Sequence, residues 1–141
     1  MFKTLLLAVD INDPEGAVRS SQAAVSLAQN ENAKLHVLNV VPDAGMSIVS
    51  ASMAPDHSAA IQKAARESLE TWAASNIPET LDIELHVHVG TVYDQIIKTA
   101  EALGAECILV GAHGPTLKDY LIGPNAARVA RHASQSVFVI R

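Results

Sequence analysis

Apolar positions along this chain fall into two rhythms, and their alternation sets out the expected fold. Residues 3–9 carry an unbroken apolar run from Leu5 to Val9, the pattern of a strand buried on both faces. Asp10 ends it. Asn12-Asp13-Pro14-Glu15 then offers a capping side chain, a proline for the first turn and an early acid, which together predict a helix start. That helix is expected to run to about residue 30, with Val18, Val25 and Ala28 turned inward. Leu35, Val37, Leu38, Val40 and Val41 predict a second strand, closed by Pro42.

Residues 43–55 have no period and read either as a surface loop or as a lid over a ligand. Asp56 is a candidate cap for the next helix. Ile61, Ala65, Leu69 and Trp72 then repeat at i, i+4, i+8 and i+11, one apolar stripe on which Trp72 is expected to be core. Asn76-Ile77-Pro78 stops that helix. Ile83, Leu85, Val87 and Val89 alternate with Asp82, Glu84, His86 and His88, so this strand has one wetter face and belongs near a sheet edge. His86 and His88 share that face; with no third ligand visible nearby in the sequence, they read as surface histidines rather than a metal site. Gly90-Thr91 leads into a helix with Ile96, Ile97, Ala100 and Leu103 inward, and Gly104 closes it. Cys107-Ile108-Leu109-Val110 is a fourth, buried strand. A helix over 125–133 and a strand over 136–140 complete the chain. Strands alternating with helices predict a single α/β domain over residues 1–141, a parallel sheet covered on both faces.

Composition narrows the function. At 141 residues and 49% apolar, the chain can bury one core. No apolar run approaches the roughly 20 residues that span a bilayer. The start of the chain lacks the features of a signal peptide. The one cysteine, Cys107, sits in a predicted core strand, so no disulfide framework is expected and a cytoplasmic location fits. A net charge of −5 argues against a nucleic-acid-binding face. It also means that any bound phosphate must be held by local backbone amides.

Such amides are on offer after the fourth strand. Gly111-Ala112-His113-Gly114 is followed by a connector of eight residues and then Gly123-Pro124-Asn125, the start of the last helix. Glycines let a backbone approach a ligand closely, and the free N–H groups of a first helical turn suit an anion. Spacing alone leaves the alternative open that these glycines simply end a strand and begin a helix. The first turn after strand one is not GxGxxG, there is no Walker-type Gly-Lys-Ser/Thr sequence, and no metal cluster or Ser-His-Asp arrangement stands out in the sequence.

The stretch 110–132 resembles the C-terminal signature of the universal stress protein family, whose nucleotide-binding members carry Gly, two residues, Gly, nine residues, then Gly-Ser or Gly-Thr. Here Gly111, Gly114 and Gly123 match the glycines with a gap of eight, and His113 matches the usual histidine between the first two. The shorter gap and Leu121-Ile122-Gly123-Pro124-Asn125-Ala126-Ala127 resemble a subgroup of small bacterial members. Pro124 departs from the pattern. It stands where the family supplies a hydroxyl and an N–H to phosphate, and proline has neither.

The resemblance implies a Rossmann-like, adenine nucleotide alpha hydrolase-like three-layer sandwich with strand order 3-2-1-4-5. A ligand would then lie between strands one and four, where the order reverses, against a rim of Ala8-Val9-Asp10 and Val110-Gly111. By similarity, Val9, Asp10 and the backbone of Val40 would face adenine. Val110, Gly111, His113 and Gly114 would lie by the ribose and first phosphate, and Gly123, Asn125 and Ala126, beside Pro124, by the outer phosphates. The implied cofactor is ATP or AMP, with magnesium entering through the phosphates. The implied role is a cytoplasmic sensor or regulator in the stress response, acting on a protein partner the sequence does not name. The family also implies a homodimer through the C-terminal strand. Two other readings stand beside this one: a dimeric interaction module that has lost nucleotide binding, and a very slow ATP hydrolase.

Overall fold

The computed structural model describes residues 1–42, 55–112 and 123–141. Five strands, β1 (Thr4–Ala8), β2 (Lys34–Pro42), β3 (Ile83–Gly90), β4 (Cys107–Gly111) and β5 (Ser136–Ile140), form one sheet of order β3-β2-β1-β4-β5. All four pairings are parallel. Helices α1 (Pro14–Glu31), α2 (Pro55–Asn76), α3 (Val92–Leu103) and α4 (Pro124–His132) connect them. The expected strand order and fold class are those observed.

Strand alternation divides the core in two. Leu5, Leu7, Leu35, Val37 and Leu109 pack with Ala17, Ala24 and Ala28 of α1 and Leu69 and Ala73 of α2. Leu6, Leu38, Ile108 and Val110 pack on the other face with Ile96 and Ala100 of α3 and Ala126 and Val129 of α4. Leu5, Leu6 and Leu7 are wholly buried, as a central strand covered on both sides requires. Trp72 packs against the first of these cores. Among the described residues no helix is long and apolar enough to cross a membrane.

Element ends follow local chemistry. Asp13 caps α1 by accepting from the Gly16 N–H, with Pro14 in the first turn. Asn32 and Gly104 close α1 and α3 in the left-handed conformation. Two readings need correction. Val18 is an exposed residue of α1; the buried stripe is Ala17, Ser20, Ser21, Ala24 and Ala28. Small residues let the helix lie close on the sheet, and the serine hydroxyls are satisfied by donating to the Gly16 and Val18 carbonyls at 2.8 and 2.9 Å. Asp56 is not a cap, since α2 begins at Pro55.

β3 and β5 are the sheet edges. The Ala112 N–H donates to the Ile140 carbonyl at 2.7 Å. Ile140 therefore addresses its backbone to the β4 side, and Val139, one residue earlier, turns its own N–H toward the open edge. Phe138 is 40% exposed, so this edge is apolar and uncharged from Val137 to Ile140.

Candidate functional site

A cleft of about 460 Å³ opens at the carboxyl ends of the central strands. This is the point where the strand order reverses, the usual ligand position in open parallel sheets. Its floor is Ala8-Val9-Asp10 from β1 and the turn after it, Leu38-Asn39-Val40 from β2, and Val110-Gly111 from β4. Gly123-Pro124-Asn125-Ala126 form one wall. Of the candidates read from sequence, Ala8, Val9, Asp10, Val40, Val110, Gly111, Gly123, Pro124, Asn125 and Ala126 all line this one cleft. His113 and Gly114 fall outside the described residues, as do the connector with Lys118 and the possible lid at 43–54.

The two ends of the cleft differ in charge preference. At one end lie Asp10 and Asp13. The Asp10 carboxylate accepts from the Asn12 N–H at 2.9 Å, and its backbone carbonyl accepts from the Asp13 N–H at 3.1 Å. The acid thus shapes the turn with one carboxylate oxygen while its side chain stays exposed. At the other end, α4 begins at Pro124 without a side-chain cap and without an acid in its first turn. Ala127 makes the first helical bond, to the Gly123 carbonyl at 3.0 Å. Among the described residues the amides of Asn125 and Ala126 have no partner, so they and the helix dipole are available to an anion. Gly123 is anchored in turn through its N–H to the Ala112 carbonyl, which ties the helix start to the end of β4.

Gly111 serves the cleft by what it lacks. Among the described residues a Cβ there would meet no heavy atom within 4 Å, so the missing side chain leaves open space rather than relieving a clash. Sequence reading missed Asn12, Gly16, Ser20, Asn39, Val92 and Ile96, which also line the cleft. Ser20 and Ile96 were legible only as helix positions, and which end of a helix reaches a cleft depends on how it lies across the sheet. The buried Asn39 was the missed signal, a polar residue interrupting an apolar strand.

A second cluster, none of whose members lines this cleft, lies on the β2–β3 pair. His36 of β2 is buried, and its Nδ1 lies 2.9 Å from His86 Nε2 and 3.8 Å from Glu84 Oε2. The sequence reading considered His86 with His88 and saw no third ligand. Parallel pairing of His36 with Glu84, and of Leu38 with His86, supplies two. Burial holds both the His36 and His86 imidazoles below the ordinary histidine range. The Lys34 ammonium, 3.2 Å from Glu84 Oε2, holds that carboxyl below its ordinary value.

Comparison with known proteins bears on the cleft. The model of the universal stress protein family matches residues 1–141. Universal stress protein G of Escherichia coli O157:H7 is 32% identical over the full length of both chains. The structure of MJ0577 from Methanocaldococcus jannaschii superposes with a TM-score of 0.81 at 19% identity, covering 99% of this chain and 96% of the other. A universal stress protein solved in complex with cAMP superposes with a TM-score of 0.65 at 25% identity, over 99% of this chain and 97% of its own.

Proposed function

The chain belongs to the universal stress protein family, and on that premise we propose that it binds an adenine nucleotide, ATP or AMP, and acts as a cytoplasmic regulator in the stress response through its bound state. One observation carries this reading. The cleft at the strand-order reversal is lined both by acceptor carboxylates, Asp10 and Asp13, and by helix-start amides that have no partner among the described residues. A nucleotide has the matching polarity. Its adenine amine and ribose hydroxyls donate hydrogen bonds, and its phosphates accept them. In this reading Val9, Asp10 and Val40 meet the adenine and Val110 and Gly111 meet the ribose. Gly123, Asn125 and Ala126 take the outer phosphates. Magnesium enters only with the phosphates. The relative in complex with cAMP supports the nucleotide class.

Pro124 favours a second reading, a dimeric interaction module without nucleotide, because it removes an amide where phosphate would sit. The two separate cleanly. Thermal melts with millimolar ATP, ADP and AMP, together with mass spectrometry of nucleotide copurifying with the protein, should give a stabilising shift and a bound species. No shift and no nucleotide would select the second reading. In both, we infer a homodimer joined through β5, whose apolar edge lacks the lysine, proline or bulge that usually protects a bare strand. A two-fold axis would pair the strand with its own copy.

A further inference from the structure

The His36, Glu84 and His86 side chains stand on one face of the β2–β3 pair, nearer the amino end of β2 than the cleft-lining residues Leu38 to Val40. His36 is the third residue of β2 and Glu84 the second of β3, directly opposite in register, with His86 one step along the same face. Their ligand atoms all lie within 4.8 Å of one another. We propose that these three side chains form a binding site for a divalent transition-metal ion of the zinc class, which clips the edge strand β3 to β2.

Donor type sets the class. Two imidazole nitrogens and one carboxylate oxygen suit Zn²⁺ and its neighbours in the first transition row, whereas Mg²⁺ and Ca²⁺ call for all-oxygen sets. Metal–ligand bonds of about 2.1 Å in a tetrahedron put neighbouring ligand atoms about 3.4 Å apart. Two of the observed separations, 2.9 and 3.8 Å, bracket that value and all three ligand atoms lie within 4.8 Å of one another, so rotamer adjustments of about an ångström close the set.

The protonation state is also suitable. A nitrogen–nitrogen contact of 2.9 Å puts at most one proton between the two rings. Ligation takes the neutral form of each imidazole. His36 is held rigid by its burial, while Glu84 is half-exposed and free to swing. One of its oxygens can stay on Lys34 while the other joins the ion. His88, its ring centred 6.5 Å from that of His86, stands outside the set and leaves a ligand position to water.

The test uses untagged full-length protein without nucleotide, so that its outcome is independent of the cleft. Calorimetric titration with Zn²⁺, and Co²⁺ titration followed by visible absorption, should show saturable binding of one ion per chain. Glu84→Gln, at an exposed position, and His86→Gln, at a half-buried one, should each weaken Zn²⁺ binding at least about tenfold, while His88→Gln changes it by less than about threefold. Nitrogen-15 NMR should show Zn²⁺ moving the ring signals of His36 and His86 first. Circular dichroism confirms that each variant is folded. The absence of saturable binding in the native protein would overturn the proposal. So would equal affinity in Glu84→Gln and His86→Gln, or ring shifts confined to other histidines.

Discussion

Replacing Pro124 with serine tests whether the start of α4 holds phosphate. Proline supplies no amide, and the donors at this helix start without a partner among the described residues are Asn125 and Ala126. Serine adds an N–H and a hydroxyl at the position nearest Gly123. One charge-assisted hydrogen bond contributes about 1.5–3 kcal/mol, or roughly ten- to more than a hundredfold in affinity. The substitution also loosens the unfolded chain, costing the free protein about 0.4–1 kcal/mol. For a chain of 141 residues about 1 kcal/mol moves the melting temperature by roughly 3 °C. The free variant should therefore melt about 1–3 °C below the native protein. Nucleotide at a hundred times its dissociation constant should raise the native melt by about 8 °C. At that same concentration the variant's ligand-induced shift should be larger by at least about 4 °C. Calorimetry with ATP, AMP and adenosine locates the gain, which must appear for the phosphorylated ligands and not for adenosine. An equal gain for adenosine, or none for ATP, would refute the assignment of phosphate to this helix start.

Four further outcomes can be measured. Gly111→Val fills open cleft space on a backbone any residue can adopt, so folding stability should change by no more than about 1 kcal/mol while AMP binding falls at least about tenfold; an unaltered AMP titration would move the ligand elsewhere. Val139→Pro removes an N–H that faces the open edge of β5, so sedimentation should show a dimer for the native chain and a folded monomer for the variant; an undiminished dimer would exclude this interface. Burial, first, depresses both His36 and His86, with mutual repulsion adding for His86 while Glu84 opposes, so the unfolded chain binds their protons more readily. Their stabilising contribution is full above the ordinary value of 6.5 and is lost as pH falls through it toward the folded values; denaturant midpoints from about pH 7.5 to about pH 5.5 should decline, and less steeply in His86→Gln. Burial pushes the Cys107 thiol up to about 11, so about a thousandth is thiolate at pH 8 and a disulfide reagent should label it only after unfolding; rapid native labelling would contradict its place in the core.

Local chemistry wrote the elements into the chain. An unbroken apolar run such as Leu5 to Val9 fits a central strand, and the alternation from Ile83 to Val89 fits an edge strand. Asp13-Pro14 and Gly104 mark helix ends through backbone geometry that needs no distant partner. Strand order was not readable in that way; it came from the likeness of the glycine stretch to a family and agrees with the observed sheet. Once that order is granted, strand ends and helix start necessarily converge, which is why so many cleft residues were legible. The tertiary structure decided what depends on approach and register. Val18 is apolar yet exposed, because the stripe that α1 buries fully against the sheet is Ala17, Ser20, Ser21, Ala24 and Ala28. His36 and Glu84 are 48 positions apart, and their meeting rests on parallel registration of β2 with β3. A shift of one residue in that register would send Glu84 and His86 to the opposite face. No local pattern encodes that choice; it is fixed by which faces of the two strands the helices bury together.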